Sequence, residues 1–174
     1  MKLLSGILFT FLITTFLFIS SCSVNYSFTG ADIPAEANTI SIAHFTIDPK
    51  ASLVNPLEGD RFTNVLIATM LTQTSLDIEN KNGDLQYEGS IVAYSNLPVA
   101  MQSDTEASNR SRITITIKVK YTNTLEPDKS FERNFSNFAD FDADKNLSEV
   151  EEGLYEVINE TIAQDIFNAS IGSW

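Results

Sequence analysis

The sequence predicts an α+β domain in which a single mostly antiparallel or mixed sheet carries two helices packed on one face. Three observations support that expectation. From Arg110 to Thr122 the odd positions Ile113, Ile115, Ile117, Val119 and Tyr121 are apolar, and the even positions are polar. That period belongs to a strand with one dry and one wet face. From Leu57 to about Thr72, and again from Val150 to Ile166, the period becomes that of an amphipathic helix. No internal repeat, low-complexity tract or linker divides the chain, and 174 residues suit one domain.

The chain opens on a leader. Residues 1–21 carry one charge, Lys2, followed by an apolar stretch from Leu3 to Ile19 and the small pair Ser20-Ser21. This is the layout of a cleaved secretory signal peptide. A membrane-spanning helix needs about 20 predominantly apolar residues. Here Thr and Ser interrupt the run, and no basic cluster follows it. Ile19-Ser20-Ser21-Cys22 resembles a bacterial lipobox. The resemblance implies cleavage before Cys22, a thioether-linked diacylglycerol on its sulfur and an acylated amino terminus. Each buried methylene contributes about 0.8 kcal/mol, so one chain binds reversibly whereas two or three anchor firmly. Ser23-Val24-Asn25 places no acid beside the lipid, a pattern similar to that of lipoproteins on the periplasmic face of the outer membrane. The expected organisation is a signal peptide over 1–21 and a single domain over 22–174.

Within that domain, Tyr26-Ser27-Phe28 reads as a short strand ended by Thr29-Gly30. Thr39 to Phe45 alternates, with Ile40, Ile42 and His44 on the apolar side. Asp48-Pro49 and Asn55-Pro56 bound a loop before the first helix, whose stripe is Phe62, Val65, Leu66, Thr69 and Met70. Asn82-Gly83 is a turn pair. It opens a strand from Leu85 to Leu97 with Leu85, Tyr87, Gly89, Ile91 and Ala93 on one face. After the strand at 110–122, Pro127-Asp128 turns the chain and Lys129 to Phe138 returns. Ser148 and Glu151 match a capping box opening the last helix. Its stripe is Val150, Leu154, Val157, Ile158, Thr161, Ile162, Asp165 and Ile166, and it ends near Trp174.

Composition excludes several functions. A formal charge of −12 opposes nucleic-acid binding, which rests on Lys and Arg neutralising phosphates. One Cys and one His exclude Cys-cluster and multi-His metal centres. Catalysis needs a nucleophile with its base, a metal, or carboxylates of separated pKa. None of these is legible: His44 reads as a core or interface residue, and no Gly-rich phosphate loop exists. The expectation is a non-enzymatic protein with no cofactor. Asp140, Asp142, Asp144 and Glu151 match positions 1, 3, 5 and 12 of a calcium loop. Lys145, however, stands where the sharp turn needs Gly, and strand rather than helix precedes the segment. The other reading is an acidic turn feeding a helix N-terminus, where negative charge is favourable. Against the overall charge, Arg110, Arg112, Lys118 and Lys120 share the wet parity of one strand. Such groups hold phosphate and carboxylate. Equally, they pair across strands with acids such as Glu88 or Glu132.

Taken in order, several runs resemble one family. They are Cys22 with Tyr26-Ser27-Phe28-Thr29-Gly30, Thr39-Ile40-Ser41-Ile42, Gln73-Thr74-Ser75-Leu76 and Gly83 to Gly89. Arg112 to Lys120, Ala139-Asp140 with Asn146-Leu147-Ser148, and Asp165-Ile166-Phe167-Asn168 to Trp174 continue the match. The chain resembles the LptE lipoproteins of the Bacteroidetes type. The resemblance implies a lipoprotein of the lipopolysaccharide export machine, a plug and partner of the outer-membrane β-barrel LptD. Basic lipopolysaccharide-contact residues of the better-known members do not align here, so Arg110, Arg112, Lys118 and Lys120 are candidate contacts on face parity alone. The alternative reading is a calcium-dependent binding or adhesion lipoprotein using Asp140 to Glu151.

Overall fold

The structure is a computed structural model that describes residues 33–99 and 109–172. The leader, Cys22, the strand expected at Tyr26-Ser27-Phe28 and Trp174 lie outside the described residues. Chain order is β1 (Thr39–Ile42), β2 (Thr46–Ile47), α1 (Glu58–Gln73), β3 (Asp77–Glu79), β4 (Leu85–Val99), β5 (Arg110–Asn123), β6 (Phe131–Asp142) and α2 (Leu147–Ser170). The strands form one mixed sheet in the order β3-β1-β4-β5-β6, with β2 also paired to β4. β1 runs parallel to β3 and β4, whereas β4, β5 and β6 form an antiparallel meander. Both helices lie over the apolar face, which makes the α+β arrangement of two layers around one core. Among the described residues, no helix is long and apolar enough to cross a membrane.

β5 is the centre of that core. Its odd residues from Ile113 to Tyr121 are buried, so the alternation in sequence is the alternation in space. Ile40, Leu85, Tyr87 and Ile91 extend the layer, and Phe62, Leu66 and Met70 of α1 with Ile158, Ile162 and Ile166 of α2 close it. Asp84 ties the start of β4 to β1: its Oδ2 accepts from the N–H groups of Asn38 and Thr39 and from the Thr39 hydroxyl at 2.9–3.0 Å. These donors hold its carboxyl below the usual carboxylate range. The Asn82-Gly83 turn is present, with Asn82 at φ 60°. Gly83 passes so near β1 that a Cβ there would lie 2.6 Å from Ser41 N.

Four local expectations are corrected. The strand expected over 39–45 breaks after Ile42, and Phe45 rather than His44 enters the core. The start of α1 explains the break. Phe45 N–H donates to Thr63 Oγ1 at 3.0 Å, and the Thr63 hydroxyl donates to Gly59 O at 2.7 Å. Gly59 accommodates the Phe45 carbonyl, 2.3 Å from where a Cβ would stand, and the Phe45 and Phe62 rings meet edge to face at 5.0 Å. With Phe45 held inward, the imidazole of His44 turns to solvent. In β4 a register shift between Ile91 and Ala93 exposes Ala93 and sends Tyr94 inward. The cap of α2 is Asn146, whose Oδ1 accepts from Ser148 N–H and Oγ, while Glu151 Oε1 accepts from the Tyr155 hydroxyl. Finally, the buried stripe of α2 is rotated: Tyr155, Asn159, Ala163 and Phe167 are buried, and Val157 is 56% exposed.

One polar pair lies between the helices. Asn159 Nδ2 donates to Glu58 Oε1 at 2.5 Å, with both residues buried. Burial raises the Glu58 carboxyl above its ordinary value, outweighing the opposing hydrogen bond from Asn159 and the charge of Arg61.

Candidate functional site

Among the described residues the helices cover one face of the meander and nothing covers the other, so the functional surface is built from the even residues of β5 and their neighbours. Register aligns Glu88, Lys120 and Glu132 in one rung, and Leu97, Arg112 and Asp140 in another eight residues along β5. The first rung is ionic. Lys120 Nζ lies 2.5 Å from Glu88 Oε1, and Lys118 pairs with Glu132. The hydrogen bond to Glu88, reinforced by its charge, raises the Lys120 ammonium. The bond from Lys118 holds the Glu132 carboxyl below its usual range. These four side chains, with Ala43, His44, Gly89 and Ser90, line an open cavity of about 340 Å³. At its rim His44 Nδ1 is 3.3 Å from Asp60 Oδ1. Sequence spacing alone did not predict that contact, which depends on where α1 begins.

The second rung is planar and partly apolar. Arg112 Nε and Nη2 donate to Asp140 Oδ1 and Oδ2 at 2.6 and 2.9 Å, and its guanidinium carbon sits 3.6 Å over the Phe138 ring. The hydrogen bonds from Arg112 lower the Asp140 carboxyl and raise the Arg112 guanidinium. Leu97 and Phe138 stand beside this pair, 62% and 47% exposed. Arg110 lies opposite Val99 and Asp142, and its Nε is buried without a hydrogen-bond partner among the described residues. Thr114, Thr116 and Ser136 separate the two rungs, with Thr116 Oγ1 and Ser136 Oγ 3.0 Å apart.

The four basic residues therefore share one face, as parity predicts, but not one cationic strip. Lys118 and Lys120 form one group and Arg110 and Arg112 another, and Lys118, Lys120 and Arg112 each meet a carboxylate. Leu97 and Phe138 were missed as surface residues. For Leu97 the reason is the shift in β4, which exchanges the faces of everything beyond it. For Phe138 a signal existed: it follows Phe135 by three residues, and an odd spacing along a strand puts the two on opposite faces.

The acidic segment does not assemble as a calcium loop. Asp140 and Asp142 belong to β6, Asp140 is held by Arg112, and Asp142 lies 3.6 Å from Lys145. Glu151 accepts from Tyr155. Among the described residues no group of three acidic, His or Cys side chains is placed to hold a metal ion.

Residues 37–170 match the model of the family described as LptE, lipopolysaccharide-assembly. No curated protein matches the sequence significantly. Among solved structures, the hypothetical protein CT253 from Chlamydia trachomatis aligns at 6% identity, covering 77% of this chain and 98% of its own, with a TM-score of 0.52. A putative neuraminyllactose-binding hemagglutinin homolog from Helicobacter pylori aligns at 9% identity over 83% and 88%, TM-score 0.51. A minor lipoprotein from Acinetobacter baumannii aligns at 12% identity over 76% and 91%, TM-score 0.48. At these identities the first two are alike in fold.

Proposed function

The chain belongs to the LptE lipopolysaccharide-assembly family, and on that premise we propose that it is a non-enzymatic outer-membrane lipoprotein that plugs and partners an LptD-type β-barrel. The observation that carries this reading is the uncovered sheet face, with its balanced ion pairs, hydroxyl rows and one small apolar end. A barrel lumen is polar, and a face of that kind suits it better than a broad greasy surface would. Anchoring through lipid on Cys22 holds the domain at the periplasmic face of the membrane. The test is co-purification: after detergent solubilisation of the outer membrane, the lipoprotein carries an LptD-type barrel with it. Recovery free of any barrel overturns the reading.

Lipopolysaccharide is the proposed ligand of Arg110, Arg112, Lys118 and Lys120; the carboxylates that meet Arg112, Lys118 and Lys120 are replaceable by phosphate of the same charge sign. Lys118→Gln with Lys120→Gln removes both ammonium groups without crowding Glu88 and Glu132 with new acids. The expected result is weaker lipopolysaccharide binding with barrel association intact. Unchanged affinity assigns the two lysines to cross-strand pairing.

A further inference from the structure

The helix layer carries a feature that plugging a barrel by the sheet face leaves unused. α2 contains Glu149, Glu151, Glu152, Glu156, Glu160 and Asp165 and no Lys or Arg. Glu149, Glu152, Glu156 and Glu160 are exposed on it. At Gly153, between Glu152 and Glu156, no described residue outside the helix's own backbone lies within 4 Å of where a Cβ would stand. Beside this row, α1 and α2 enclose a cleft of about 390 Å³ lined by Arg61, Asn64, Val65, Tyr155 and Asn159, with Glu152 and Glu156 on its rim.

Asn159 is the observation that points to a ligand. It is 2% exposed, its Nδ2 is spent on Glu58, and its Oδ1 has no hydrogen-bond partner among the described residues. Glu58 Oε2 is likewise buried and unpartnered among the described residues. Buried acceptors without donors are costly, and a native structure retains them where something else supplies the donor. Arg61 does not supply it; its guanidinium pairs with Glu152 at 3.5 Å on the rim. The missing group is a donor, and two carboxylates, Glu152 and Glu156, stand on the rim against one cation, Arg61. A planar fork of N–H donors meets both conditions better than a point-charged ammonium, since one N–H can reach the buried acceptor while others meet the rim carboxylates, and guanidinium is the less strongly hydrated of the two cations.

We infer that the α1–α2 cleft is a receptor for an arginine side chain of the partner barrel, with Asn159 Oδ1 as its buried acceptor and Glu156 and Glu160 as its acidic approach. This rests on the reading that the partner is an outer-membrane barrel, and it assigns the helix layer, not only the sheet face, to the interface.

Photo-crosslinking in the intact outer membrane tests it, with a benzoyl-phenylalanine placed in the full-length chain at position 156 or, separately, at 116 on the sheet face. The expected result is capture of the barrel from position 156, through a peptide containing arginine. Capture from 116 alone overturns the cleft and leaves the barrel reading standing. Capture from neither overturns both. Two variants then probe the chemistry by barrel co-purification. Glu156→Lys with Glu160→Lys, both at exposed positions, lowers barrel recovery about tenfold, as like charges oppose docking. Asn159→Leu lowers it comparably while the variant still unfolds cooperatively. Full recovery with Asn159→Leu overturns the buried arginine, whatever the surface charges do.

Discussion

Glu58 costs the isolated domain stability because a carboxyl between two helices has one donor for two oxygens. Its folded-state pKa is raised above the ordinary 4.5, chiefly by desolvation. The unfolded chain therefore loses this proton first as pH rises. The contribution of Glu58 is most favourable below its unfolded pKa and declines as pH climbs from there toward the folded value. Glu58→Gln keeps an acceptor for Asn159 and needs no ionisation. It is expected to stabilise the domain by about 1–2 kcal/mol at pH 7.5, with the gain shrinking toward pH 4, as read by urea unfolding at both values. A gain independent of pH would detach the effect from titration. Asp140 behaves in the opposite sense. Its carboxyl is lowered by the two-point bond from Arg112, so that pairing is present above the ordinary carboxylate range and is lost on acidification. Arg112→Lys keeps the charge but loses the planar fork and the stacking on Phe138. The Asp140 pKa, followed by NMR titration, is expected to rise toward its usual value in that variant.

At the scale of elements, the helix caps separate what pattern predicts from what geometry decides. Asn146 Oδ1 accepts at the first turn of α2, and its loss leaves an amide donor without a side-chain partner. Asn146→Ala is expected to lower stability by about 1 kcal/mol in urea unfolding, and Ser148→Ala by less than half of that. The reverse order would restore the Ser148 capping box. Strand β5 and helix α1 were legible because their periods run long enough to be unambiguous and because Asn82-Gly83 and Pro127-Asp128 mark their neighbours' ends. What escaped was set by tertiary contacts. β3 is only Asp77-Ile78-Glu79, too short to show a period, and it exists because β1 offers a parallel edge after the α1 crossover. The parity of β4 changes at Ile91/Ala93 without a Gly or Pro there to announce it. Parity along 39–45 points His44 inward, but Thr63, eighteen residues beyond Phe45, captures the Phe45 amide and shifts the strand by one residue. The candidate site was half legible for the same reason. Parity put the four basic residues on one face, but which carboxylate meets each one depends on register.

At the scale of the whole molecule, the sheet ends, among the described residues, in two unlike edges. β3 offers three residues, two of them acidic, whereas β6 offers twelve. A short charged edge resists pairing, and a long one invites it. In an antiparallel ladder only alternate amides of an edge strand bond inward, so the others along β6 are free to exchange with water or to meet a partner's backbone. Their neighbours strengthen the case for an interface. Phe138 and the Arg112–Asp140 pair lie on the uncovered face of β6, and α2 packs against its other side. A barrel wall, itself built of strands, would therefore find a β edge set between the sheet face and the helix layer. Hydrogen exchange read by mass spectrometry separates the strands. For the domain alone, peptides from 131–142 are expected to exchange faster than those from 113–121, whose amides lie between two strands. In the barrel complex the 131–142 peptides slow while the central ones change little. If β6 exchanges as fast in a demonstrated complex as it does alone, the barrel grips the domain elsewhere, and the long edge is tolerated rather than used.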